Sequence, residues 1–235
     1  MEIRVVAAGN GWQWIVDGFR LFLRSPLLWM AFTLVLFALW VASFLIPVLG
    51  HLLFYLFLPC IFTGMMIGCR AQERGEPLRF DHLFAGFREN AAGLVTLGGV
   101  FLVSMVIISG TMFLMVGGAA FMQIAKQPAL DPETARTLLP GLLAALAVGL
   151  TAFLPVFMLL SYAPLLVAFD KLSPVQSMKL SFAACWKNAM PFLLYGLVAA
   201  ALMMLVGMMT FFLGLIVLLP ALFCSVYTSY KDIFR

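Results

Sequence analysis

Charged residues are scarce in this sequence. Of 235 residues only 10% are Asp, Glu, Lys or Arg, whereas 64% are hydrophobic. A soluble globular chain carries about 25% charged and about 45–50% apolar residues, so a soluble fold of this size is excluded. The first residues, MEIRVVAAGNGWQWIVDGF, lack the basic n-region, apolar core and small-residue cleavage site of a secretory signal. The chain is therefore expected to be retained whole. Cysteine is sparse and unpaired in pattern: Cys60, Cys69, Cys185 and Cys224 form no C-x-x-C, which argues against a zinc site or a disulfide framework. They read as small buried hydrophobes. His51 and His82 are distant in topology and have no neighbour at metal-ligand spacing. No G-x-S-x-G, H-E-x-x-H or phosphate-cradling loop occurs. No catalytic residue, metal or cofactor is expected, and no nucleic-acid partner.

What is present is long apolar sequence. Six runs stand out, about 27–49, 51–69, 92–118, 141–169, 189–209 and 211–230, each near the roughly 20 residues that cross a hydrocarbon core. The first two are separated by Leu49-Gly50-His51. The last two are nearly continuous from Ala189 to Tyr230, and one helix of that length would measure about 63 Å, twice the membrane thickness. A reversal near Gly207 to Gly214 is expected. The loop from Ala125 to Gly141 contains Asp131-Pro132-Glu133, an acid cap followed by a first-turn proline and a second acid, which predicts a helix start; Pro140 is expected to interrupt that helix before the span.

The few basic residues are lopsided. Arg4, Arg20, Arg24, Arg70, Arg74, Arg79, Arg88, Lys171, Lys179, Lys187, Lys231 and Arg235 fall on one side of this topology, and only Lys126 and Arg136 on the other. Basic flanks stay cytoplasmic, so both termini are predicted inside. No charged residue lies within a run; a charge at a helix centre costs about 2.5–3.5 kcal/mol and persists chiefly where function needs it. Its absence argues against an ion-driven carrier. Asp170-Lys171 reads as a solvated flank.

A short phrase recurs ahead of the spans. FRLFLRS from Phe19, FAGFREN from Phe84 and FAACWKN from Phe182 each place a phenylalanine six residues before a small polar residue. Each closes an amphipathic segment. In the first, Trp12, Ile15, Val16, Phe19, Phe22 and Leu23 follow helical spacing; in the second, Phe80, Leu83, Phe84 and Phe87; in the third, Val175, Met178, Phe182, Cys185 and Trp186. LPCIFTGMMIGCR from Leu58 and LPALFCSVYTSYK from Leu219 also correspond, each with a proline eleven residues before its closing base, and LLSYAPLLVAFDK from Leu159 fits the same frame with a later proline. The predicted fold is an all-α membrane protein: six transmembrane helices in three hairpins, each preceded by an interfacial helix. The whole chain, 1–235, is one membrane domain with repeat units at 11–70, 79–171 and 174–231.

The helix beginning GFRLF at Gly18, followed by a proline and a span, and LSPVQSMKLSFAACWKNAMPFLLYG from Leu172 after the fourth span together resemble six-helix bacterial inner-membrane families: YciC-like proteins and the membrane domain attached to some glycerophosphodiester phosphodiesterases. The resemblance implies the fold and a bacterial cytoplasmic (inner) membrane, and carries over no catalytic residue.

Four sets of residues remain as candidates. Arg20, Arg24, Arg88, Lys179 and Lys187 on the interfacial segments suit anionic lipid headgroups. Gly64 and Gly68, and Gly141, Ala145 and Gly149, form small-residue faces for close helix packing, within the bundle or against a membrane-protein partner or second copy. Ser161, Tyr162 and Tyr195 carry hydroxyls within the spans, lining a polar path or bonding helix to helix. Met204 and Met208, one turn apart, allow a Cu(I) reading against the plainer one of flexible apolar filler. The leading expectation is a non-enzymatic structural or accessory component of an envelope complex; the alternative is a lipid or small-solute carrier of scramblase type. Reporter fusions after Arg235 and within 131–137 are expected to report opposite sides of the membrane, and the same side for both contradicts the topology.

Overall fold

A computed structural model describes residues 2–117 and 132–235. Lys126 and Asp131 lie outside them. Among the described residues there is no strand. The helices are α1 (Asn10–Phe22), α2 (Pro26–Ala42), α3 (Leu49–Glu73), α4 (Gly86–Glu89), α5 (Ala91–Val116), α6 (Pro132–Leu160), α7 (Ala163–Phe169), α8 (Pro174–Lys187), α9 (Ala189–Met209) and α10 (Leu215–Phe234), with 3₁₀ turns at Ser43–Leu45 and Phe80–Phe84. Among the described residues six segments are long and apolar enough to cross a membrane: Pro26–Leu45, Leu49–Glu73, Ala91–Val116, Leu138–Phe169, Ala189–Met209 and Leu215–Phe234. The fourth is built from α6 and α7. It breaks at Ser161-Tyr162 because Pro164 has no N–H for the carbonyl of Leu160.

Several local expectations need correction. The first reversal comes before Leu49-Gly50-His51, at Ser43–Val48, where Pro47 cannot continue a helix and Val48 takes a φ of +64°. Helix α6 runs through Pro140 without interruption. The carbonyl that this proline deprives of a donor is that of Arg136, ahead of the apolar stretch that opens at Leu138, where water can bond to it. The second amphipathic segment is a 3₁₀ turn followed by the four-residue α4, pressed so closely on α3 that a Cβ on Gly86 would lie 2.0 Å from the Cys60 carbonyl oxygen.

The protein-facing side of α1 is also rotated from the expected stripe. Gly11, Trp14, Ile15, Gly18, Leu21 and Phe22 are buried, whereas Trp12, Phe19 and Leu23 are exposed. The core gathers around Trp14, Trp29, Met65, Tyr162, Tyr227 and Tyr230. All four cysteines are free and buried, and burial pushes the Cys185 thiol of α8 up to about 12. The spans do not share the core equally: 44% of the apolar window is buried in α3 and in α10, but only 11% in the fourth and fifth spans. Helices α3 and α10 form the centre, and the others present much of their apolar surface outward.

The short segments pack in a regular order. The stretch 80–89 lies on α3, the span before it, and α8 lies on α6 and α7, the span before it. Helix α1 packs on the last span, α10. Two of these junctions match position for position. A Cβ on Gly18 would lie 2.5 Å from the Ser225 nitrogen, and a Cβ on Gly64 would lie 2.3 Å from the Leu83 carbonyl oxygen. In the frame of the recurring phrases Gly18 corresponds to Leu83, and Ser225 to Gly64. The third junction is displaced by about one turn: Ser181 Oγ, which corresponds to Gly18, donates to the Met158 carbonyl and accepts from the Tyr162 N–H. The polar residue that ends each phrase stands at the N-cap position of the next span, where Asn90 accepts from the Gly93 N–H, and Ser25 and Asn90 share a backbone geometry, φ −153° with ψ 63° and 65°.

Because α1 sits so close to α10, Gly18→Val is expected to force the two helices apart at a cost of about 1–3 kcal/mol. It should lower the thermal midpoint in detergent, whereas Gly99→Ala, with nothing within 4 Å of its added carbon, should leave it unchanged.

Candidate functional site

Polar side chains concentrate at the end of the bundle where α1, the close of α3 and the close of α10 meet. They surround a basin of about 520 Å³. Five basic residues line it, Arg4, Arg20, Arg24, Lys231 and Arg235, with three acids, Asp17, Glu73 and Asp232. The lining therefore carries a formal +2, five bases less three acids.

Each polar group has a structural origin. Asp232, in the last turn of α10, accepts from Asn10 Nδ2 at 2.7 Å and from the buried Trp14 Nε1 at 2.8 Å. That carboxylate holds the start of α1 on α10. Glu73 pairs with Lys231 and accepts from the Tyr227 hydroxyl at 2.7 Å, joining α3 to α10. Arg24 donates to the Gln72 carbonyl at 2.6 Å, and Trp29 Nε1 donates to Gln72 Oε1 at 2.9 Å. Arg20 pairs with Asp17 one turn away at 3.0 Å. Arg4 and Arg24 thus face the basin with no carboxylate partner among the described residues. The exposed pairs contribute about 0–1 kcal/mol each, so they tie the ends together without dominating stability.

Asp170 and Lys171 do not act as one solvated flank. Asp170 accepts from the Tyr230 hydroxyl and lies 3.8 Å from Arg235, whereas Lys171 pairs with Glu89 beside α5. The N-terminal tail is anchored at the same end. Arg4 N donates to the Ile233 carbonyl at 2.9 Å, and Asn188 accepts from Val6 N at 2.9 Å while donating to the Arg4 carbonyl at 3.0 Å.

Of the five expected headgroup contacts, Arg20 and Arg24 meet at the basin, while Arg88, Lys179 and Lys187 are exposed elsewhere on the short segments. Gly64 and Gly68 lie under the chain's own Leu83, His82 and Leu78, so this face is occupied within the molecule. Ala145 is buried and Gly149 abuts Met112 of α5, but Gly141 has no neighbour within 4 Å. The intramembrane hydroxyls are each engaged: Ser161 donates to the Phe157 carbonyl at 2.6 Å, Tyr162 to Ser229 at 2.7 Å, and Tyr195 bonds Ser225 at 2.8 Å. Met204 and Met208 are both 69% exposed on α9. The pairing of Asp232 with Asn10 and Trp14 crosses more than two hundred residues and has no spacing signal; only tertiary structure brings these groups together.

Across its whole length the chain aligns with a probable inner membrane protein of Burkholderia thailandensis, 31% identical over 259 aligned positions that cover 94% of that protein. The chain belongs to this inner-membrane protein family. No family profile matches it, and no solved structure does. As a family member with six membrane-length helices, it is a multi-pass protein of the inner membrane. The similarity extends no further than this description, and the resemblance to YciC-like proteins gains no support from it.

Replacing Asp232 by Ala leaves the buried Trp14 N–H without an acceptor, at an expected cost of about 1–3 kcal/mol. Asp232→Asn retains an acceptor oxygen and should lose less. The order of thermal midpoints in detergent, wild type above Asn above Ala, checks this.

Proposed function

We propose that this family member is a non-enzymatic accessory component of the bacterial envelope, working through its cytoplasmic face and anchored there to anionic lipid. The observation that carries the reading is the net-positive basin, in which Arg4 and Arg24 lack carboxylate partners. Such a surface attracts lipid phosphates or an acidic partner segment, because each basic residue near an anionic surface contributes about 1 kcal/mol.

The proposed architecture is three hairpins, each led in by an interfacial segment, with both termini in the cytoplasm. Ion pairs support a common side: Lys231 with Glu73, Arg235 with Asp170 and Lys171 with Glu89 join the ends of α3, α4, α7 and α10. The cyclic packing of the short segments and the matched Gly18–Ser225 and Gly64–Leu83 contacts support units 11–70, 79–171 and 174–231 as copies around one axis. Phe62 and Phe223 hold corresponding places and their rings lie 6.3 Å apart, as residues near a common axis do. Exposed Phe19 and Phe84 then belong to a collar in the inner leaflet. The engaged hydroxyls of Ser161, Tyr162 and Tyr195 lend nothing to a polar carrier route, and the reading of a lipid or small-solute carrier stands second.

Purification in mild detergent with identification of retained lipids and proteins tests the reading. Changing Arg24, Arg88 and Lys187 together to Gln is expected to lower retained phosphatidylglycerol and cardiolipin on the order of tenfold or more, three contacts of about 1 kcal/mol each. Unchanged retention contradicts the anchoring. A co-purifying protein that is lost with Arg4→Glu and Arg20→Glu supports the accessory role, and recovery of lipid alone favours the carrier.

A further inference from the structure

A second cavity, of about 460 Å³, lies within the spans themselves, between α2, α3, α5, the break between α6 and α7, and α10. Its walls are almost wholly apolar, and only Thr33, Tyr55 and the Trp40 indole among its lining side chains carry a polar group. Thr33 Oγ1 is spent on the Trp29 carbonyl at 3.2 Å. The Tyr55 hydroxyl has no protein partner among the described residues. Prolines interrupt the helices at the lining: Pro59 and Pro164 both line it, and neither can donate to the carbonyl of Tyr55 or Leu160, two more of its lining residues. The Phe62–Phe223 ring contact closes it between α3 and α10. At its rim Phe37 is 57% and Trp40 38% exposed, so the cleft is continuous with the outer surface of the spans.

We propose that this cleft is a binding site for one acyl chain of a membrane phospholipid. Its position decides the occupant, because the surface it opens onto is bathed in hydrocarbon and water has no stable place against such walls. Tyr55 gives the lipid an orientation. It lies about 9 Å along α3 from Leu49, near the end of the bundle away from the termini, and a hydroxyl at that depth needs an acceptor. A lipid ester carbonyl oxygen supplies one. The lipid therefore comes from the leaflet opposite the basic basin. The site is independent of the accessory-component reading, which concerns the other end of the molecule.

The test places photoreactive benzoylphenylalanine at Phe37, on the rim, and at Leu197, 62% exposed on α9, in the full chain. The protein is reconstituted in phosphatidylethanolamine–phosphatidylglycerol vesicles, exchanged into detergent, illuminated and weighed intact. An adduct of one phospholipid at Phe37, about fivefold or more above that at Leu197, is the expected result, since a held lipid survives an exchange that strips a surface one. The cleft-filling Leu36→Trp should reduce the Phe37 adduct about fivefold without changing elution. Tyr55→Phe, which keeps the shape, should reduce it about two- to tenfold, the equivalent of one hydrogen bond. Equal yields at the two positions overturn the site, as does capture of residues 118–131 or of a second copy at Phe37 in place of lipid. Unchanged adduct in both variants overturns it as well.

Discussion

Hydrocarbon offers no hydrogen-bond partner, and the placement of most polar groups among the described residues follows from that constraint. Within the spans most hydroxyls are either turned back on their own helix, as at Thr96, Ser104 and Thr151, or paired between helices, as at Tyr162–Ser229 and Tyr195–Ser225, whereas those of Thr63 and Tyr55 have no protein partner among the described residues. Full charges are driven to the ends. At the end holding both termini they meet, and Asp232, Glu73 and Asp170 turn a set of helix ends into one connected surface.

The same constraint removes the hydrophobic effect as a force between spans, since lipid tails are as apolar as leucine. Close approach takes its place. Gly18 lets α1 lie against the backbone of α10, and Gly64 lets the 80–84 turn lie against α3. Both contacts place a short segment on a span, so these segments clamp the bundle at its polar end while the opposite halves of the spans stay loosely packed. The apolar cleft lies in that looser region, bordered by two prolines that deny the helix backbone its regular bonding.

Packing around α3 and α10 also explains why the Gly64 and Gly68 face is not open to a partner. Gly64 and Gly68 are consumed by Leu83, His82 and Leu78 of the same chain. Surface for a partner remains at the exposed Phe19, Phe84 and Trp186 and at the basin, where aromatic and basic groups lie side by side near one leaflet.

The number of spans, the membrane location and the small polar residues Ser25, Asn90 and Asn188 that open three of the spans were legible in the sequence, because span length and apolar composition are local properties. The buried face of α1 was not. In a chain where both lipid and protein welcome apolar groups, hydrophobic spacing marks Trp12 and Phe19 as readily as Trp14 and Leu21, and contact with α10 selects the second pair. The basin was equally hidden, because Asn10, Trp14, Glu73 and Asp232 stand far apart along the chain and carry no motif. Sequence by itself determined how often the chain crosses and where its charges can reside, since transfer into hydrocarbon is decided residue by residue. Which of those charges face one another, and where a cavity opens between the spans, was decided only by tertiary structure, since both depend on how closely particular helices approach.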